Sequence, residues 1–225
     1  MAYDLYTWSS LFESPPIAWP DGKRVVVVVA IVISCEFFSL TPSDTLFRAP
    51  GHMKAAFPDC RHFTARDYDS RLGVPRLLAA LAVTGTRPTG WLPVARSQSW
   101  NTPRLLGEAR VGYCMHWVDD ELPFRLGPLV NLPLNHQLSD RQVIATRQQS
   151  VDSDAEQLRD AYRWLDGEVD RVQGGGGRML PIHLTPHISA QPYRIDVIAA
   201  LFGWLAAQPG CWSARADEIV ASSGV

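Results

Sequence analysis

The stretch "HLTPH" places His183 and His187 four residues apart. On a helix, H-x-x-x-H offers two imidazoles to one metal. Here Pro186 lies inside the motif and a strand-like "RMLPI" precedes it, so a helix running through the pair is disfavoured. In an extended chain His183 and Thr185 share one face, and His187 lies beyond the turn. No further His or Asp spacing nearby supports a metal pair, so the better reading is the lining of a polar pocket. Such imidazoles suit acid–base work, because their unperturbed pKa lies near working pH.

A second cluster, "HWVDDELP" (His116–Pro123), puts an imidazole and the carboxylates of Asp119, Asp120 and Glu121 together. These acids read either as a solvated loop or as partners in hydrogen-bond reach of a histidine, as paired acid and base require. Trp117 beside them reads as packing. A third candidate is Glu36, the first charge after a long apolar run and so a residue at a strand's carboxyl end, where α/β folds gather their chemistry. The run "GGGG" at 174–177 follows a helix and precedes a strand, the reverse of a phosphate loop, and reads as a connection.

The elements that must position these residues alternate. "VVVVVAIVI" (Val25–Ile33) is apolar on both faces, which predicts a central parallel strand buried between layers. Residues 39–65, with Pro42, Pro50 and Pro58, predict a long loop over its carboxyl end. Leu72, Leu77, Leu78, Leu81 and Ala82 fit a helical stripe. A short strand is expected around Gly90–Ala95, then a helix opened by Pro103 and strands at about Val111–Val118 and Gly127–Leu134. An amphipathic helix from about Ser153 to Val172, the strand "RMLPIHL", an apolar helix in "YRIDVIAALFGWLAAQ" and a closing segment "CWSARADEIVASS" complete the chain. This alternation predicts one parallel α/β domain over residues 25–225, with 1–24 as an irregular lead-in wrapped on its surface.

Composition sets the outer limits. The 225 residues are 46% hydrophobic and 20% charged, with a formal net charge of −2. That balance argues against nucleic acid or an anionic membrane as the main partner. The four cysteines show no C-x-x-C spacing, so reduced thiols are expected. The N-terminus lacks the order of a signal peptide, and the longest apolar run is too short to span a bilayer. A cytoplasmic protein with a small-molecule substrate is the expectation.

"WPDGKRVVVVVAIVISCEFF", "ARDYDSRLGVPRLL", "TRPTGWLPV", "TPRLLGEARVGYCMHWVDDELPF", "GPLVNLPLNHQLSD" and "LTPHISAQPYRI" follow one another in the order found in polysaccharide-deacetylase-like proteins. The chain resembles the allantoinase-like branch of that superfamily most closely. The resemblance implies an incomplete (β/α) barrel. Typical members use a metal-bound water, an acidic base on the first strand and a histidine acid on a late strand, and the allantoinase-like branch dispenses with the usual metal arrangement. It further implies Glu36 at the first-strand acidic position, Asp120 and Glu121 at later acids and His187 at the second late-strand histidine. Arg71, in the second of these stretches, joins Asp119, Glu121, Thr185 and Trp117 as a substrate-binding candidate.

Departures from the pattern carry equal weight. The family segment with two β/α units and the H-x-x-x-H metal motif is missing, since Leu81-Ala82 runs straight into Val83-Thr84-Gly85. The late-strand catalytic histidine falls on Thr185, whose hydroxyl cannot act as a general acid near neutral pH. The expectation is therefore a shortened barrel without metal or other cofactor, acting as a hydrolase on a C–N bond. Glu36 is its base, His183 or His187 its acid, and His116 with Asp119 or Asp120 a second acid–base pair. A non-catalytic relic that binds a ligand or partner is the rival reading. Loss of two strands would expose a sheet edge, so a homodimer covering the gap is also expected.

Overall fold

The computed structural model describes residues 16–31, 90–92, 102–108, 111–115, 117–171 and 176–225. Glu36, Arg71, His116, the loop at 39–65 and the helical stripe from Leu72 to Ala82 lie outside them.

The β-branched run forms β1 (Val25–Ile31), parallel to β6 (Arg178–Leu184) along its whole length and to β7 (Cys211–Ser213) over Val25–Val27. Its alternation has the expected two-sided use. Val25 and Val27 pack with Leu180, Ile182 and Leu184 beneath α2 (Val151–Arg171) and α4 (Ile195–Ala206). Val26 and Val28 face the opposite way, with Trp19, Met179, Leu132, Leu134 and Ile219 of α5 (Ala216–Ser223). Each such buried aliphatic side chain stabilises the fold by roughly 1.5–3 kcal/mol.

A second sheet, in the order β2-β3-β5-β4, is mixed. β2 (Gly90–Trp91), β3 (Tyr113–Cys114) and β5 (Leu129–Asn131) run parallel, and β4 (Phe124–Leu126) returns antiparallel to β5. The expected strand at Gly127–Leu134 is thus one arm of a hairpin. Gly127 sits at φ 56° at the first position of its two-residue turn, a conformation that favours glycine. A short helix, α1 (Thr102–Glu108), carries Pro103 in its first turn as the sequence predicts. The protein is therefore a mixed α/β fold of parallel and mixed sheets. Among the described residues the two sheets share no strand and close no barrel.

β6 is an outer strand of its sheet among the described residues. Arg178 donates its N–H to Arg24 O, toward β1. N–H groups alternate sides along a strand, so position 181 faces outward, where Pro181 has no donor to lose. At the other end Arg24 bonds Asp166 and Asp170, both at 2.8 Å, tying the last turns of α2 to the start of β1. Asp170 is exposed and Asp166 partly so, and solvent screens both pairs.

The described end of the lead-in is more than a surface wrap. Ile17 and Trp19 are buried, and Trp19 Nε1 donates to Arg178 O at 2.9 Å.

Candidate functional site

Among the described residues, the sequence-selected ones fall into two groups. Asp119, Asp120 and Glu121 follow β3 and line a cleft of about 670 Å³ with Pro133, His136, Trp164 of α2 and Pro181 of β6. The cleft thus opens where the carboxyl ends of β3 and β5 meet the outer edge of β6. His183, Thr185 and His187 do not line it. They lie higher on β6 and in the turn that follows.

The acidic loop is held by a residue the sequence reading passed over. Asn131, fully buried on β5, donates to Trp117 O at 2.9 Å and accepts from Trp117 N at 3.3 Å and Cys114 Sγ at 3.4 Å. One amide therefore mimics a neighbouring strand and fixes where "WVDDE" leaves β3. Trp117 packs on Leu126 and Leu129, as its packing role predicts. Asp120 Oδ1 accepts from the N–H groups of Glu121 (2.6 Å) and Leu122 (3.1 Å), so one of its oxygens is committed to the turn. Glu121 has its pKa raised by burial, then by Glu168 and Asp120, with Arg178 opposing. Burial also pushes the Cys114 thiol up to about 12, which leaves it inert.

On β6, Leu180, Ile182 and Leu184 face the helices, so His183 shares the opposite face with Met179. The strand ends at Leu184. Thr185 is the extended residue before α3 (Pro186–Ser189), with Pro186 in its first turn. The proline thus starts a helix and "HLTPH" is not itself helical. Thr185 is fully buried, while His183 and His187 are partly exposed.

Asp140 holds this turn. Its Oδ2 accepts from Thr185 N and from Ser189 Oγ, both at 2.6 Å, bracketing α3, while its Oδ1 accepts from Arg141 N at 2.6 Å. That last bond caps a π-helical segment, Arg141–Thr146, an uncommon form that is found at functional sites. Burial pushes the carboxyl of Asp140 up to about 6, against those hydrogen bonds, which favour its charged form. In the first turn of α2, Asp154 is 1% exposed and neither of its carboxylate oxygens has a hydrogen-bond partner. Burial, then the charge on Asp140, raises it to about 7. "SD" before an apolar segment is a capping signal that could have pointed to Asp140. Nothing in the local pattern marks Asp154.

A metal needs converging donors. Among the described residues no three His, Cys, Asp or Glu side chains come together. Glu36 and His116, whose placement would bear most on such a centre, lie outside those residues.

At the level of sequence, no protein-family model and no curated protein matches the chain. Its fold nevertheless has solved counterparts. It is similar to Puue allantoinase, with a TM-score of 0.74 at 18% identity over 93% of both chains. It is equally similar to a "probable Polysaccharide deacetylase from Pseudomonas aeruginosa PAO1", with a TM-score of 0.74 at 17% identity over 93% of this chain and 94% of that one. The fold is therefore the one these two solved structures share. Among the described residues no helix is long and apolar enough to cross a membrane.

Proposed function

We propose that the chain is a divergent polysaccharide-deacetylase-like hydrolase, acting on an amide or cyclic amide C–N bond of a small molecule. Its architecture is a shortened, incomplete (β/α) barrel, and its chemistry is acid–base catalysis without a metal, extendable to ring opening or closing. One observation carries the reading: the fold likeness to an allantoinase and a deacetylase over more than nine-tenths of the chain. Glu36 is the general base. His187 or His183 supplies the acid that a histidine at position 185 would have given. His116 with Asp119 or Asp120 forms a second acid–base pair, and Glu121, Arg71, Thr185 and Trp117 contact the substrate. The test is turnover of a panel of small amides and cyclic amides by chelator-treated protein. Hydrolysis of at least one member, undiminished by chelation, is expected. Turnover that vanishes with chelation and returns with zinc overturns the metal-free part.

A second reading rests on Thr185. It is fully buried, with its N–H held by Asp140, at the position where the family resemblance places a catalytic histidine. A relic that binds a ligand through the old cleft fits that observation. Thermal stabilisation by a panel member without any turnover would identify it.

The same reading includes a homodimer. β1 is flanked by β6 and β7, but β7 covers only Val25–Val27. Among the described residues the edge from Val28 to Ile31 has no strand beside it on that side, and a second copy would cover it.

A further inference from the structure

Asp154, in the first turn of α2, feels the charge of Asp140, the carboxyl that holds the turn at the end of β6, and no role above uses the two together. Asp140 is saturated: three donors reach its oxygens, and all come from the backbone or a hydroxyl. Asp154 is the opposite case. It is as buried as its aliphatic neighbours Ala155 and Leu158, yet neither oxygen is hydrogen-bonded. A charged carboxylate in such a place is strongly disfavoured, whereas the neutral acid is tolerated. The other charged groups on the surrounding elements give no relief. Arg141 beside Asp140, Arg147 at the far end of the π-helical segment, Asp152 on α2 and Asp196 on α4 are exposed. Arg194, partly exposed, spends its guanidinium on Ile188 O, and the imidazoles on β6 and α3, His183 and His187, are partly exposed. Among the described residues the charge that acts on Asp154 is that of Asp140, of the same sign.

We propose that Asp154, opposed by Asp140, is a protonation switch built into the fold. Protonated, it lets the first turn of α2 close on the turn from Thr185 to Ser189; ionised, it loosens that contact. Its sign follows from linkage. An acid whose pKa is higher folded than unfolded binds more protons in the folded state. Its contribution is complete below the unfolded value, near 3.8, and is lost as pH rises through about 7. The turn that carries Thr185 and His187 is therefore tight in mild acid and looser in mild alkali. This holds whether or not the protein is a hydrolase.

The experiment is thermal unfolding of the full chain from pH 5.5 to 8.5, with hydrogen exchange followed over the same range. The wild-type melting temperature should fall by about 5 °C or more, with exchange beyond its intrinsic pH dependence rising at 151–155 and 185–189. Asp154→Asn should remove most of the fall and melt above the wild type at pH 8.5. Equal slopes in the two proteins, or exchange rising uniformly along the chain, would overturn the proposal. Infrared spectra of the wild type decide the matter even should the variant fail to fold. A buried carboxylic-acid band present at pH 6.5 and gone at pH 8.5 is expected, and its absence at pH 6.5 contradicts the switch.

Discussion

Asn131 shows how one side chain can set a loop that carries candidate chemistry. It satisfies both the N–H and the carbonyl of Trp117, so Asn131→Ala leaves two backbone groups without their partner. We predict a loss of roughly 1–3 kcal/mol in urea denaturation, with any activity falling through misplacement of Asp119 and Asp120. Cys114 gives a second prediction at this scale. Buried, with its thiol pushed up to about 12, it should resist alkylation at pH 8 in the folded protein and react once unfolded. Asp119, Asp120 and Glu121, which line the cleft, stand out in the sequence as a cluster by type. Asn131, Asp140 and Asp154 do not, because their importance lies in what long-range folding brings to them. Asp140 meets Thr185 and Ser189, more than forty positions away, and a local pattern holds no trace of that.

Among the elements, β1, α2, β6 and α4 could be read in advance, since each is long and strongly periodic or uniformly β-branched. The short strands were harder. β4 and β5 have three residues apiece, and their hairpin turns on Gly127, which looked like part of a single strand. The surroundings of the glycine run also needed the structure. A Cβ on Gly177 would lie 1.9 Å from Trp19 Cδ1, so the absence of a side chain there is a packing requirement of the lead-in. Gly177→Ala should destabilise by about 1–3 kcal/mol through overpacking, and Trp19→Ala by about 3–5 kcal/mol through a cavity. Chemical denaturation of both variants checks this. A neutral Trp19→Ala would show that residues 16–19 do not belong to the core.

For the whole molecule, the resemblance in ordered sequence pieces anticipated the fold that the solved structures share. Barrel closure was not legible, because it depends on strand pairing between segments far apart in the chain. Light scattering after size exclusion tests the dimer: twice the 25.0 kDa chain mass is expected, and a clean monomer refutes it. In the proposed mechanism, acid–base chemistry on a C–N bond starts from Glu36. Its most direct test is the turnover number of Glu36→Gln against the wild type on the best substrate of the amide panel. A loss of about 100-fold or more is expected, with the fold intact by circular dichroism. Unchanged turnover in Glu36→Gln would contradict it.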